Sequence, residues 1–307
     1  MSRVVVHIGT HKTGTSALQN LLFINRDILE KQDFIYPQAG WGGAHHGLAG
    51  NWVDVASEYR VSGGLQPWRQ GFAQMAAQNK TLVLSSEEFS RSAPRRVNMA
   101  ELRDLLAPFD QIELVCSLRS QARYIQSIYL ESLKHGTPME VGAFIDEAID
   151  SACCDGLFLD FNELHEHLRT GFAEDEIHYL SFEQCQRAGG SPKCITERVK
   201  PGLYDQLRTT GDQGMDNVSP PPLPAWLASR AGTSEADVIA RFARQLAQEH
   251  GERPTSLFTA DQLERCSERF EPANRRFEAL VATAQSGLAI APVDLPENVL
   301  LRDAIAP

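Results

Sequence analysis

The chain opens with Val4-Val5-Val6-His7-Ile8, a β-branched run closed by Gly9, the pattern of a strand buried on both faces. Beyond it, Leu18, Leu21 and Leu22 recur at helical spacing, which predicts a helix that starts near Thr15 or Ser16. The same exchange of patterns continues downstream. Helical periodicity over 67–78 and 99–106 flanks a second buried strand at Leu82-Val83-Leu84. Residues 111–119 make a third strand, and 121–134 a helix closed at Gly136, a C-cap signal. Helical patterns over 139–149 and 161–170 then lead to a fourth strand within 176–183. Strands separated by helical crossovers predict an α/β fold: a parallel sheet with helices on both faces.

Other stretches break the periodicity. Residues 36–50 are rich in glycine and histidine and read as a surface loop, mobile or closely packed. Cys153-Cys154 falls where a helix-to-helix turn is expected. Residues 202–224 are polar and end in a proline run, marking a linker or covering loop. Helical patterns over 235–249 and 260–281 follow as a C-terminal extension. The expected organisation is an α/β core over 1–200, with the covering loop and C-terminal helices of 201–307 belonging to the same domain.

Composition narrows the function classes. With 307 residues, 42% hydrophobic and 22% charged, the chain is of ordinary soluble globular type. No apolar run approaches the ~20 residues needed to span a bilayer. The first strand starts too early to leave room for a signal peptide, and the six cysteines show no Cys-x-x-Cys spacing. Reduced thiols and a cytoplasmic location are therefore expected. A net charge of −11 argues against an extended basic groove for nucleic acid.

The candidate chemistry lies at the first strand-to-helix turn, Gly9-Thr10-His11-Lys12-Thr13-Gly14-Thr15-Ser16. A glycine-bearing turn between a buried strand and a helix start aims backbone N–H groups and a helix dipole at an anion. A Walker A loop carries its lysine after the last glycine, whereas Lys12 precedes Gly14, so nucleoside triphosphate hydrolysis is not the first reading. The bland alternative is an N-capped helix behind a buried strand. A second stretch, "SLRSQARYIQSIY", puts Arg119 at the end of the third strand and Ser127 eight residues on in the next helix. A guanidinium fork and a hydroxyl suit phosphate oxygens.

The loop resembles the 5′-phosphosulfate loop of the sulfotransferases, which carry Lys-Ser/Thr-Gly-Thr-Ser/Thr at this turn. Arg119 and Ser127 resemble that family's clamp on the donor 3′-phosphate, although Ser120-Gln121 stands where many members have Asp-Pro. Residues 160–184 and 266–280 extend the likeness, and an Arg-Lys-Gly loop of the cytosolic animal members is missing. The resemblance implies a P-loop-type sheet and 3′-phosphoadenosine 5′-phosphosulfate as sulfuryl donor, with the bisphosphate as product. It implies a hydroxyl or amine acceptor, a small molecule or carbohydrate, and no metal. His11, Lys12, Thr13, Gly14, Thr15 and Ser16 would bind the donor, Lys12 neutralising the oxygens of the breaking bond, while Arg119 and Ser127 hold the 3′-phosphate.

Transfer to a hydroxyl also needs a base. Glu87 and Glu88 follow the second strand at the sheet edge where α/β sites open, and His45 and His46 lie in the glycine-rich stretch. Any of the four fits that role. Arg95-Arg96 and Arg275-Arg276 read as solvated helix faces. A small-molecule or nucleoside kinase, or a non-catalytic nucleotide-binding protein, is the competing reading. ATP has no 3′-phosphate, which separates the two enzyme classes.

Overall fold

The computed structural model describes residues 1–38, 42–136, 139–209, 221–230, 241, 245, 254–293 and 299–304. Its centre is a five-stranded sheet built from β1 (Arg3–His7), β2 (Phe34–Ile35), β3 (Thr81–Ser85), β4 (Gln111–Leu118) and a last strand, Ile177–Ser181. The order across the sheet is β2-β3-β1-β4 and then Ile177–Ser181, and every pairing is parallel. The chain builds one side of β1 first and then crosses to the other. The crevice beyond the carboxyl ends of β1, β3 and β4 is therefore the topological switch point, where such sheets bind ligands.

Alternation along the strands feeds two cores. Val4, Val6, Leu82, Leu84, Leu114 and Cys116 pack on one face, against α4 (Gln66–Ala76), α5 (Met99–Leu105) and α8 (Phe161–Arg169). Val5, Val83 and Val115 point the other way, into Leu18, Leu21 and Leu22 of α1 (Thr15–Ile24) and Ile195 and Val199 of α10 (Ser191–Val199). This double burial is why the strands read as unbroken apolar runs. A third core joins α6 (Gln121–Ser132), α7 (Val141–Ser151), α11 (Pro222–Arg230) and α12 (Ala260–Val281) through Tyr124, Ile125, Ile145, Trp226, Cys266 and Phe270.

Several expectations need correction. The sheet has an edge strand, β2, that periodicity cannot reveal because it is two residues long. Cys153-Cys154 is not a plain turn: it forms β5 (Cys153–Cys154), paired antiparallel with β6 (Leu157–Phe158), so Ile177–Ser181 is β7. The intervening Asp155 and Gly156 have φ of 50° and 72°, the signature of a type I′ hairpin. In the glycine- and histidine-rich stretch, residues 42–50 take the closely packed alternative, since His45, His46, Gly47, Leu48 and Ala49 are all buried and His46–Ala49 form the short helix α3; residues 39–41 lie outside the described residues. Gly47 explains this. A Cβ there would stand 2.4 Å from the Tyr59 carbonyl oxygen, so only glycine permits the approach. Arg95 and Arg96 precede α5 rather than lying on a helix; the Arg275-Arg276 pair is exposed on α12. Pro222 and Pro224 stand in the first turn of α11, where proline is tolerated, and residues 210–220 of the expected linker or covering loop lie outside the described residues. The helix expected over 235–249 lies outside the described residues, apart from Arg241 and Gln245. Among the described residues, no helix is long and apolar enough to cross a membrane.

Candidate donor and acceptor site

The loop after β1 is stapled to β4. The Ile8 and Thr10 amides donate to the Val115 and Ser117 carbonyls at 2.9 and 3.0 Å, and the Thr10 hydroxyl also donates to Ser117 O at 2.9 Å. Thr13 is fully buried, and its hydroxyl closes the loop internally on Thr10 O at 2.6 Å. Lys12 has φ 62° and Gly14 φ 84°, so two left-handed residues turn the chain sharply into α1. For a lysine that conformation costs about 1–2 kcal/mol, consistent with strain held at a working loop. Gly14 is the N-cap of α1; no side chain caps it and the first turn carries no acid. The leading N–H groups of α1 thus have no intrahelical partner and face the crevice end of the sheet.

Around this turn stand buried polar atoms without hydrogen-bond partners. They include Thr15 Oγ1, Ser127 Oγ, Ser191 Oγ, Arg119 Nε and Arg123 Nε. Ser191, at the start of α10, lies against the loop: a Cβ on Gly14 would sit 3.2 Å from Ser191 Cβ. Arg123, Ser127 and Glu131 follow one another at i, i+4 and i+8 on α6, which places them on one stripe of that helix. Glu131 accepts from Lys12 Nζ at 2.8 Å, so the stripe runs alongside the loop. At its other end, Arg119 Nη1 donates to the Lys12 carbonyl at 2.8 Å, and its guanidinium stacks 4.8 Å from the Phe182 ring centroid.

Among the described residues no carboxylate lies within ion-pair distance of Arg119. Burial pulls its pKa down to about 10, with the more distant Glu183 and, less, Tyr124 opposing and Arg123 adding repulsion. Glu183 itself, at the start of α9 (Phe182–Arg187), accepts from the Ser120 amide at 3.2 Å. A buried cation with an unpaired N–H costs free energy until an anion arrives. Phosphate geometry fits what the fork presents.

A second cluster lies at the ends of β1 and β3. Glu87 and Glu88 open a 3-10 turn capped by Ser86, whose hydroxyl accepts from the Glu88 amide at 3.3 Å. Gln19 of α1 donates to Glu87 Oε2 at 3.1 Å. Glu88 pairs with Arg91 and stands 3.8 Å from His11 Nε2, so the His11 ring turns toward β3 rather than toward the α6 stripe. His46 Nδ1 is 2.7 Å from Ser86 Oγ, with the Tyr59 ring edge-on at 4.7 Å. His45 differs. It is fully buried, its Nδ1 accepts from the Ser85 amide at 3.0 Å, and its Nε2 meets Pro37 O at 3.0 Å. Burial also lowers its pKa to about 4. With both nitrogens engaged by backbone, His45 fastens α3 to the sheet edge and has no free lone pair for an acceptor proton.

The structure thus gathers His11, Glu87, Glu88 and His46 on the β3 side of the loop, and Arg119 with the Ser127 stripe on the α6 side. Arg123, Ser191 and Glu131 escaped the sequence reading. Arg123 and Glu131 carry a signal in hindsight, the spacing to Ser127; Ser191 carries none beyond a helix start at Ser191-Pro192.

No protein-family model matches the chain, and no curated protein does. Solved structures do. The crystal structure of a sulfotransferase from Alicyclobacillus acidocaldarius superposes with a TM-score of 0.50 at 12% identity, over 90% of this chain and 94% of that one. The sulfotransferase domain of the Synechococcus PCC 7002 olefin synthase matches at TM-score 0.30 and 13% identity, over 87% and 94%. The fold of this chain is similar to that of the Alicyclobacillus sulfotransferase nearly from end to end.

Proposed function

We propose that the protein is a sulfotransferase that moves a sulfuryl group from 3′-phosphoadenosine 5′-phosphosulfate to a hydroxyl or amine acceptor, a small molecule or carbohydrate. The observation that carries this reading is Arg119, whose Nε is buried and unpartnered and which has no carboxylate in ion-pair reach among the described residues, followed at i+4 and i+8 by Arg123 and the orphaned Ser127 hydroxyl. These groups fit a phosphate. They stand on the α6 side of the loop, apart from the helix N-terminus of α1 that would take the 5′-phosphate. Two phosphate sites flanking one loop suit a nucleotide with both a 5′- and a 3′-phosphate.

In this reading the α1 N–H groups and the Thr15 hydroxyl hold the 5′-phosphate, with Ser191 closing from α10 and Ser16 at the helix start. Thr13 supports the loop from beneath. Lys12 leaves Glu131 to neutralise the oxygen left when the sulfur–oxygen bond of the donor breaks. Lysine and fixed N–H dipoles supply the positive field at the leaving group. Glu87, Glu88, His11 and His46 line the side from which the acceptor arrives.

The test compares 3′,5′-adenosine bisphosphate, 5′-AMP and Mg²⁺-ATP by calorimetry, then follows transfer of labelled sulfate from the donor. A bisphosphate preference of about 100-fold over 5′-AMP is expected from two charge-assisted contacts. Equal affinity for the two, or a preference for Mg²⁺-ATP, overturns the assignment.

A further inference from the structure

Lys12 and His11 are neighbours in sequence that serve opposite sides of the loop. Lys12 adopts φ 62°, and its side chain runs to Glu131 on α6, whereas His11 turns to Glu88 behind β3. Sulfuryl transfer proceeds in line, so the attacking and leaving oxygens lie on opposite sides of the sulfur. A loop with its cation on one side and an imidazole on the other matches that requirement at adjacent residues.

We propose that His11 is the base that takes the acceptor proton, with Glu88 as its positioning carboxylate. This rests on the sulfotransferase reading above. The His11 side chain is 18% exposed, yet its Nε2 is shut off from solvent without a hydrogen bond, 3.8 Å from Glu88 Oε1. Such placement favours a proton on Nε2, directed at the carboxylate, and leaves Nδ1 with the free lone pair. Glu88 is itself held by Arg91. The groups facing the ring are Glu87, Glu88 and Arg91 from the turn after β3, and His46 from α3. Burial lowers the His11 pKa, so the ring is neutral at pH 7, and the two carboxylates offset part of the cost of its cation. In the step, the acceptor oxygen bonds to sulfur while its proton passes to Nδ1. The bond from sulfur to the bridging oxygen breaks, and the electron pair leaves with the 5′-phosphate of the bisphosphate. His11 then releases the proton to water.

Water can stand in for the natural acceptor in a test of this step. The assay is release of labelled sulfate from 3′-phosphoadenosine 5′-phosphosulfate at saturating donor, by unmodified protein, His11→Ala, His11→Asn, Glu88→Gln and Glu88→Asp. The His11 variants are expected to bind 3′,5′-adenosine bisphosphate within threefold of the unmodified protein, which also shows that they fold. They should lose at least tenfold in sulfate release, and added imidazole should restore part of that loss in His11→Ala. Glu88→Gln should shift the inflection of the pH–rate profile to lower pH, since the carboxylate that favours imidazolium is gone, and Glu88→Asp should move it back. Unchanged release in both His11 variants overturns the proposal. So does a tenfold loss of bisphosphate affinity with release unchanged at saturation, which makes His11 a donor ligand. Loss of release in Glu88→Gln but not in His11→Ala assigns the base to Glu88 instead. If the unmodified protein prefers neither nucleotide and releases no sulfate, the sulfotransferase reading itself falls and His11 with it.

Discussion

Lys12 Nζ lies 2.8 Å from Glu131 Oε2, and the same oxygen accepts from Lys134 Nζ at 2.8 Å. The lysine of the loop is therefore engaged on α6, one turn beyond Ser127. Burial alone would raise the Glu131 pKa, but the two lysines outweigh it and hold the group down to about 2. Glu131 thus remains a carboxylate near neutral pH and, under the proposed function, would compete with a bound donor for Lys12.

Two variants separate the lysine's roles. Lys12→Ala should lower donor turnover by two or more orders of magnitude, on the order of 3 kcal/mol, while weakening bisphosphate binding less, because the charge it neutralises grows mainly during transfer. Glu131→Gln should tighten bisphosphate binding several-fold by releasing Lys12. Steady-state rates and calorimetry read both effects; a folded Lys12→Ala protein with normal turnover removes the assigned role.

Arg119→Ala should abolish the preference for 3′,5′-adenosine bisphosphate over 5′-AMP and leave 5′-AMP binding nearly unchanged. Ser127→Ala and Arg123→Ala should do so more weakly, each removing roughly 1.5–3 kcal/mol of charge-assisted bonding at most. If Arg119→Ala instead lowers both affinities in parallel, the residue supports the loop through Lys12 O and does not read the 3′-phosphate.

Stability should decline on mild acidification. His7 and His45 are fully buried, and burial pushes their pKa values down to about 3 and about 4. An unfolded chain takes up protons on both near pH 6.5, and the native chain does not. Their contribution is therefore intact above pH 6.5 and is lost as pH falls toward 4, with a slope of at most about 1.4 kcal/mol per pH unit for each ring. Urea midpoints at pH 7.5, 6.5, 5.5 and 4.5 measure it. Constant midpoints across that range contradict the buried, neutral state of both rings.

Two glycines should respond in opposite senses to alanine. A Cβ on Gly171 would lie 2.2 Å from Met99 O, a backbone atom that cannot step aside, so Gly171→Ala should destabilise by about 1–3 kcal/mol. Gly71 lies within α4 and a Cβ there meets nothing within 4 Å. Gly71→Ala should stabilise by roughly 0.5–1 kcal/mol. Thermal melts of the two variants decide both points.

The sequence disclosed what local rules govern. Val4 to Ser16 declare strand, turn and helix start because each step has its own residue chemistry, and Ala260–Val281 declares itself through helical periodicity alone. Arg119 was visible because it ends a buried strand. What stayed hidden depends on contact between distant segments. Phe34–Ile35 becomes a strand only because β3 is beside it. The burial of His45 follows from partners at Pro37 and Ser85, and the turn of His11 toward Glu88 from a left-handed backbone at Lys12. The Asp155-Gly156 hairpin is a different matter: Asp-Gly is itself a local hairpin signal, set in a short stretch between two helical patterns.

The amides of Gln121 and Asn274 are joined by reciprocal bonds of 2.8 and 3.0 Å, and Ser120 Oγ donates to Pro292 O at 3.0 Å. Gln121 and Ser120 directly follow Arg119, whereas Asn274 and Pro292 come from the last part of the chain. The tail thus acts as a splint on the strand-to-helix turn that aims the guanidinium. A chain emerging from synthesis can complete its sheet long before it can set that turn. Ligand recognition should accordingly be among the last properties it acquires on folding and, when the end is trimmed before α12, among the first it loses.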